Sequence, residues 1–150
     1  MQIDYVETID IFSVRGVRLF FESCFEEMKF SQHGLVLDVE DTKKSIDWAN
    51  KIEGITVGAL SKGFLVGLFA AIKTCSLYNH DEWRLQEFIW HSAPWLQTST
   101  RGKIQIQVLD KALEKADVPL YICSNPQFAA VEKLLARRGF VATETVWVRR

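Results

Sequence analysis

Cysteine, proline and glycine are all scarce, with 3 Cys, 3 Pro and 8 Gly among 150 residues. Cys24, Cys75 and Cys123 stand roughly fifty positions apart, an odd number without the paired spacing of a zinc or disulfide site, so they read as reduced, mostly buried thiols. There is no linker composition, no low-complexity tract and no internal repeat, which predicts one domain over 1–150. No apolar run is long enough to span a bilayer. Asp4 and Glu7 sit where a secretory signal would carry positive charge and then an apolar stretch, so the expectation is a soluble, cytoplasmic protein without a membrane partner. An excess of either charge is missing too: 18 basic side chains face 19 acidic ones. That balance excludes a broad basic surface for nucleic acid. His33, His80 and His91 share no ligand spacing, and no metal is assigned.

What the chain does have is apolar material, 48% of it hydrophobic, enough at this length for a core without staples. Residues 13–30 place Val17, Phe20, Phe21, Cys24, Phe25 and Met28 at spacings of three and four, the stripe of a helix, with Glu22, Glu26, Glu27 and Lys29 on its wet side. A second helix is expected over 41–53, with Ile46, Ala49 and Ile52 inward and Gly54 as its stop. The period then changes: Ile55, Val57 and Ala59 alternate, Lys62-Gly63 makes a turn, and the following apolar run completes a hairpin over 55–77. A strand is expected over 84–92. A helix over 102–116 carries Ile106, Leu109, Leu113 and Ala116 on one face. Leu120–Cys123 reads as a short strand, and Ser124 or Asn125 caps a last helix ending in Arg137, Arg138 and Gly139. A strand over 141–148 closes the chain. This order predicts a mixed α/β (α+β) fold with a mostly antiparallel sheet and about four helices.

Between the fourth strand and third helix lies Pro94-Trp95-Leu96-Gln97-Thr98-Ser99-Thr100-Arg101-Gly102. Free N–H groups at a helix start can point at a pyrophosphate, helped by the helix dipole, and Arg101 and Lys103 add positive charge at that end. This segment resembles the central motif of the GNAT superfamily of N-acetyltransferases, in which Gln or Arg, two residues, Gly, one residue, and Gly or Ala open a helix after a strand and a proline. Gln97 and Gly102 match its ends, and Thr100 stands where a Gly is usual. Gly139-Phe140, 37 residues after Gly102, match the close of the family's last helix, while Leu135 takes its usual tyrosine position. The tail 134–150 also looks like GNAT-like proteins encoded by phages and prophages.

The resemblance implies a V-shaped cleft between central strands and acetyl-CoA as co-substrate. It implies direct transfer to a primary amine in a ternary complex, the acceptor being a small molecule or a protein. Cofactor contacts are then expected from Gln97, Thr98, Ser99, Thr100, Arg101, Gly102, Lys103 and Asn125, and from backbone N–H groups of residues 90–93, among them Trp90, His91 and Ser92, which would polarise the thioester. Glu87, about ten residues upstream of Gln97, is the expected base, desolvated by Phe88, Ile89 and Trp90, and His91 is its rival. Regular alternation would put Glu87, Ile89 and His91 on one face. With Leu135 unable to act as the acid, Tyr121 or Ser124 would have to replace it. Trp83, Trp90 and Trp95 surround this region and are candidates for an acceptor pocket or for packing. A homodimer is the default expectation. The alternative reading, favoured by Thr100 and Leu135, is a GNAT-fold binding or interaction protein that has lost efficient chemistry and still holds CoA.

Overall fold

The computed structural model describes residues 1–123 and 129–142. Among them run β1 (Asp4–Glu7), α1 (Val17–Glu27), a 3-10 turn (Phe30–His33), α2 (Val39–Lys51), β2 (Ile55–Ser61), β3 (Phe64–Cys75), β4 (Trp83–Ser92), α3 (Thr98–Lys115), β5 (Leu120–Tyr121) and α4 (Ala129–Arg137). The five strands form one sheet in sequence order, antiparallel from β1 to β4, with β5 parallel to β4. The mixed α/β arrangement and four helices match the expectation. Ser124 and Asn125 lie outside the described residues, as do the expected cap of α4 and most of the closing strand.

The sheet is covered on both faces, which is why β2 and β3 read as nearly continuous apolar runs. On one face α3 approaches so closely that a Cβ on Gly67 would collide with Ile104. Phe69 and Ala71 share Gly67's parity along β3 and therefore face α3 as well. On the other face Gly58, paired with Leu68, lies hard against Ile9, and α1 and α2 add Phe20, Phe21, Cys24, Ile46 and Ala49 to the core.

Local chemistry accounts for the ends. Lys62 and Gly63 both take positive φ, the handedness a two-residue hairpin needs. Asp38 caps α2 by accepting from the Asp41 N–H at 2.9 Å, so that helix starts two residues before its expected boundary. Gly139, at φ +81, closes α4, where Phe140 N–H returns to Leu135 O and Gly139 N–H to Ala136 O. Leu135 is buried core.

Helix α3 departs from expectation in two ways. It begins at Thr98 rather than 102, because extended Gln97 serves as its cap residue and Arg101 N–H bonds Gln97 O at 2.9 Å. The run of Ser and Thr reads as loop, but it is the first turn. Its inward stripe is Ile104, Val108, Leu109 and Ala112, and Ile106 is only half-buried. Two apolar stripes overlap in this segment, and the close approach at Gly67 selects the one carrying Ile104. The cysteines also differ from the buried reading: Cys24 is buried, Cys75 half-buried and Cys123 exposed.

A side chain at Gly67 must displace Ile104, whereas one at Gly102 meets nothing within 4 Å. In urea melts, Gly67→Ala is expected to lose about 1–3 kcal/mol by overpacking. Gly102→Ala is expected to gain roughly 0.5–1 kcal/mol by relieving the glycine penalty inside a helix.

Candidate active site

Strand β4 pairs with β3 along its length, but its pairing with β5 is confined to Leu85 with Leu120 and Gln86 with Tyr121. Beyond that point the edge of β4 is free of β5 among the described residues. Leu85 N–H still bonds Pro119 O at 2.8 Å. Continuing this parallel ladder would bring Cys123 N–H to the backbone carbonyl of Glu87. Instead Cys123 N–H donates to the Glu87 carboxylate, Oε2, at 3.3 Å. The side chain takes the place of a ladder rung, and it holds the carboxylate at the fork between the strands.

Glu87 is partly buried there, and desolvation pushes its pKa up to about 7 against the opposing effect of the Cys123 N–H. That is the range in which a carboxylate both accepts and releases a proton near neutrality.

The register of β4 slips beside this residue. Ala70 pairs with Ile89 but Ala71 with Glu87, leaving Phe88 as an extra residue, a β-bulge. Paired residues share a face, so Glu87 lies with Ala71 and Trp90 on the α3 side, and Ile89 and His91 lie with Ala70 and Leu68 on the other. The expected common face for Glu87, Ile89 and His91 is therefore not realised, because the bulge inverts the alternation between them. Burial holds the pKa of His91 below its ordinary value, and the charges of Glu27 and Arg101 act on it in opposite directions.

The bulge also sorts the backbone donors. Ala93 N–H bonds Val66 O on β3 at 2.9 Å. By alternation the N–H of His91 also turns to β3, and those of Trp90 and Ser92 turn to the free edge. Trp90 is itself anchored, its indole Nε1 donating to Gln105 O on α3 at 3.0 Å.

Just past this edge, α3 opens without a side-chain cap at Gln97, and Thr98 and Ser99 are exposed. Their N–H groups and that of Thr100 precede the first intrahelical bond. Gly102, one turn in, projects into open space. Lys103 is exposed, but Arg101 is not a free charge: its guanidinium grips Glu27 of α1 at 2.7 and 2.6 Å.

No family model matches the chain, and no curated protein does. Solved structures do. A probable acetyltransferase superposes with a TM-score of 0.65 at 14% identity, covering 100% of this chain and 99% of that one. A possible acetyltransferase from Clostridium difficile 630 gives 0.63 at 10% identity over 100% and 98% of the two chains. An aminoglycoside acetyltransferase from an uncultured soil metagenomic sample, in complex with trehalose, gives 0.60 at 15% identity over 99% and 93%. The chain has the GNAT acetyltransferase fold. The phage-like impression of its tail gains no support from these structures.

Within the GNAT fold, the remaining candidates fall as follows. Tyr121 pairs with Gln86 and so faces away from Glu87, and the Arg84 guanidinium covers its ring at 4.8 Å. Ser92 is buried, and its hydroxyl meets Arg101 Nε at 3.3 Å. Trp83 and Trp95 are each about half exposed, and neither lines the concavity of about 430 Å³ beside the bulge. Phe88 and Ile89 form one wall of that space and Val36, Asp38, Asp41 and Thr42 the other. Cys123 and Glu27 are site neighbours that the sequence does not announce. No three His, Cys, Asp or Glu side chains among the described residues could hold a metal, and none of their helices is long and apolar enough to cross a membrane.

The raised pKa of Glu87 sets a sign for stability. An unfolded glutamate loses its proton near pH 4.5, but the folded one keeps it to about 7, so the folded state binds more protons in between and stability falls as pH rises through that window. Glu87→Gln keeps an acceptor for Cys123 N–H and removes the charge. Relative to wild type it is expected to gain on the order of 2–3 kcal/mol between pH 4 and pH 8 in denaturant melts.

Proposed function

We propose that the protein is an acetyl-CoA-dependent N-acetyltransferase, acting by direct attack of a primary amine on the thioester. The observation that carries this reading is Glu87: a carboxylate with a pKa near 7, held at a strand fork and flanked by a strand edge free of β5 among the described residues and by a helix N-terminus without a side-chain cap from Gln97. The residues present fit the co-substrate. The N–H groups of Thr98, Ser99 and Thr100 supply donors without an intrahelical partner at the positive end of α3, and no described atom crowds the space over Gly102 where a phosphate would sit. The affinity expected here comes from backbone donors and Lys103, with Arg101 engaged elsewhere.

Glu87 takes the amine proton, directly or through water, as the new C–N bond forms and the C–S bond breaks. The N–H groups of Trp90 and Ser92, turned to the free edge, support the negative charge that develops on the carbonyl oxygen. Leu135 has no proton to give, and Tyr121 faces the other side of the sheet, so the departing thiolate takes its proton from Glu87 or from solvent at the open fork. Much of the rate comes from holding both reactants in one place.

The acceptor side is the concavity by Phe88 and Ile89 on the α2 side of β4, from which an amine reaches Glu87 around the edge of the strand at the bulge, and Asp38 at its border favours a cationic amine. One structure of the same fold is an aminoglycoside acetyltransferase in complex with sisomicin, a case of a small amine-bearing ligand on this architecture. A cytoplasmic location agrees with the free thiols and with the co-substrate.

Calorimetric titration with CoA and acetyl-CoA should show micromolar binding that Gly102→Glu abolishes without unfolding the protein. In a thiol-release assay over a panel of amines, Glu87→Gln should lower kcat by about 10²–10⁴-fold and leave CoA affinity unchanged. Wild-type kcat/KM should rise with pH through about 7. Absence of CoA binding at millimolar ligand overturns the reading.

A further inference from the structure

Arg101 lies in the first turn of α3, where a positive side chain opposes the helix dipole. A partly buried ion pair compensates for it. Both terminal nitrogens pair with the Glu27 carboxylate, at 2.7 and 2.6 Å, across 74 positions of sequence. The remaining donors turn to the end of β4: Nε meets Ser92 Oγ at 3.3 Å and Nη2 meets Ser92 O at 3.4 Å. Ser92 O is also reached by the Cys24 thiol at 3.9 Å. The two charged side chains are only 22% and 31% exposed, so this is a two-point, largely desolvated contact, unlike the single-point pairs along α1 and α2.

Three elements with different duties meet at this guanidinium. Helix α3 presents the N–H groups proposed for the phosphates, β4 ends in the residues whose N–H groups face the thioester, and α1 precedes the segment that walls the acceptor concavity. We propose that Arg101 is a positioning residue: locked by Glu27, it sets the first turn of α3 against the end of β4, fixing the distance from phosphate cradle to thioester, and it makes the last turn of α1 respond to the co-substrate. The inference rests on the acetyltransferase reading, and it assigns Arg101 a role other than phosphate ligand. The rigid fork of arginine suits the task, because it holds a carboxylate in one orientation while leaving donors for a second partner.

The test compares wild type, Glu27→Gln, and the double variant Glu27→Leu/Arg101→Met, whose apolar pair can restore stability without the ion pair. Hydrogen exchange is followed with and without acetyl-CoA. Wild type should gain protection both at the start of α3 and at Cys24–Met28, and both variants should keep the first and lose the second. With any amine that supports turnover, both variants should lose about ten- to a hundredfold in kcat with KM for acetyl-CoA close to wild type, as expected when reacting groups are displaced by a fraction of an ångström to an ångström. The double variant should do so even with its melting temperature restored. Recovery of kcat or of α1 protection in the double variant overturns the inference, since the pair would then only stabilise the fold. A rise in KM with kcat preserved overturns it in favour of a phosphate contact. A wild type that fails to bind acetyl-CoA overturns the acetyltransferase reading and this inference together. Binding without turnover overturns the enzymatic reading alone, and the exchange data then decide the coupling.

Discussion

The structure turns on a missing rung. Parallel strands β4 and β5 are joined at Leu85–Leu120 and Gln86–Tyr121, and the next backbone donor, Cys123 N–H, goes to the carboxylate of Glu87 instead of to its carbonyl. A backbone N–H turned out of its ladder takes another acceptor, and at Cys123 the carboxylate supplies it. A glutamate does so while remaining titratable. The same exchange of partners that parts the strands therefore anchors the carboxylate to which the proposed function assigns the proton transfer. The Gln86 side-chain amide takes the freed Glu87 carbonyl at 3.4 Å, which completes the local exchange of backbone for side-chain partners.

The bulge at Phe88 lies beside the same residue on the other edge of β4. The strand stays paired with β3 on both sides of it, and the one extra residue puts Glu87 on the α3 side and His91 on the opposite face. Polar groups are thereby divided between two environments. Glu87 has burial and a single N–H, which leaves it near neutrality in affinity for a proton. His91 has burial, which lowers its pKa, together with an ion pair whose two charges act on it in opposite directions. Two titratable residues four positions apart on one strand thus acquire separate environments from the insertion of one phenylalanine.

Much of this fold was legible in the sequence because its signals are local. The stripe Val17, Phe20, Phe21 and Cys24, the Lys62-Gly63 turn and the Gly139 stop each depend on residues within a turn or two, and each is found where the spacing puts it. The motif from Gln97 to Gly102 was visible as a pattern, and its departure at Thr100 as an oddity. What was not legible depends on distant partners or on counting. The bulge carries no Gly or Pro to mark it, so strict alternation assigns the wrong face to His91 relative to Glu87. Glu27 reads as a wet-side residue of α1 until Arg101, far along the chain, is brought to it. Cys123 reads as core because free cysteines usually are, yet its neighbour Glu87 needs its backbone rather than its sulfur. The choice between the overlapping stripes of α3 was made by the sheet, through Gly67, and not by the helix itself.

The oddity at Thr100 has a physical answer. A glycine is required where φ is positive or where a neighbour leaves no space for a Cβ, and the described residues with positive φ do not include Thr100, which sits in the regular first turn of α3. The backbone that presents the N–H groups is thus the same with threonine as with glycine. What threonine changes is the surface over those donors, by one β-branched side chain that is itself half-buried. The glycine retained at 102 is the one that still leaves open space above the helix. A positive charge on this turn would ordinarily weaken the helix, and here it is carried by Arg101, whose field is largely cancelled by Glu27 at hydrogen-bonding distance. The N-terminus of α3 consequently keeps its dipole and the donors that have no intrahelical partner as the main source of positive potential, which is what the proposed phosphate site draws on.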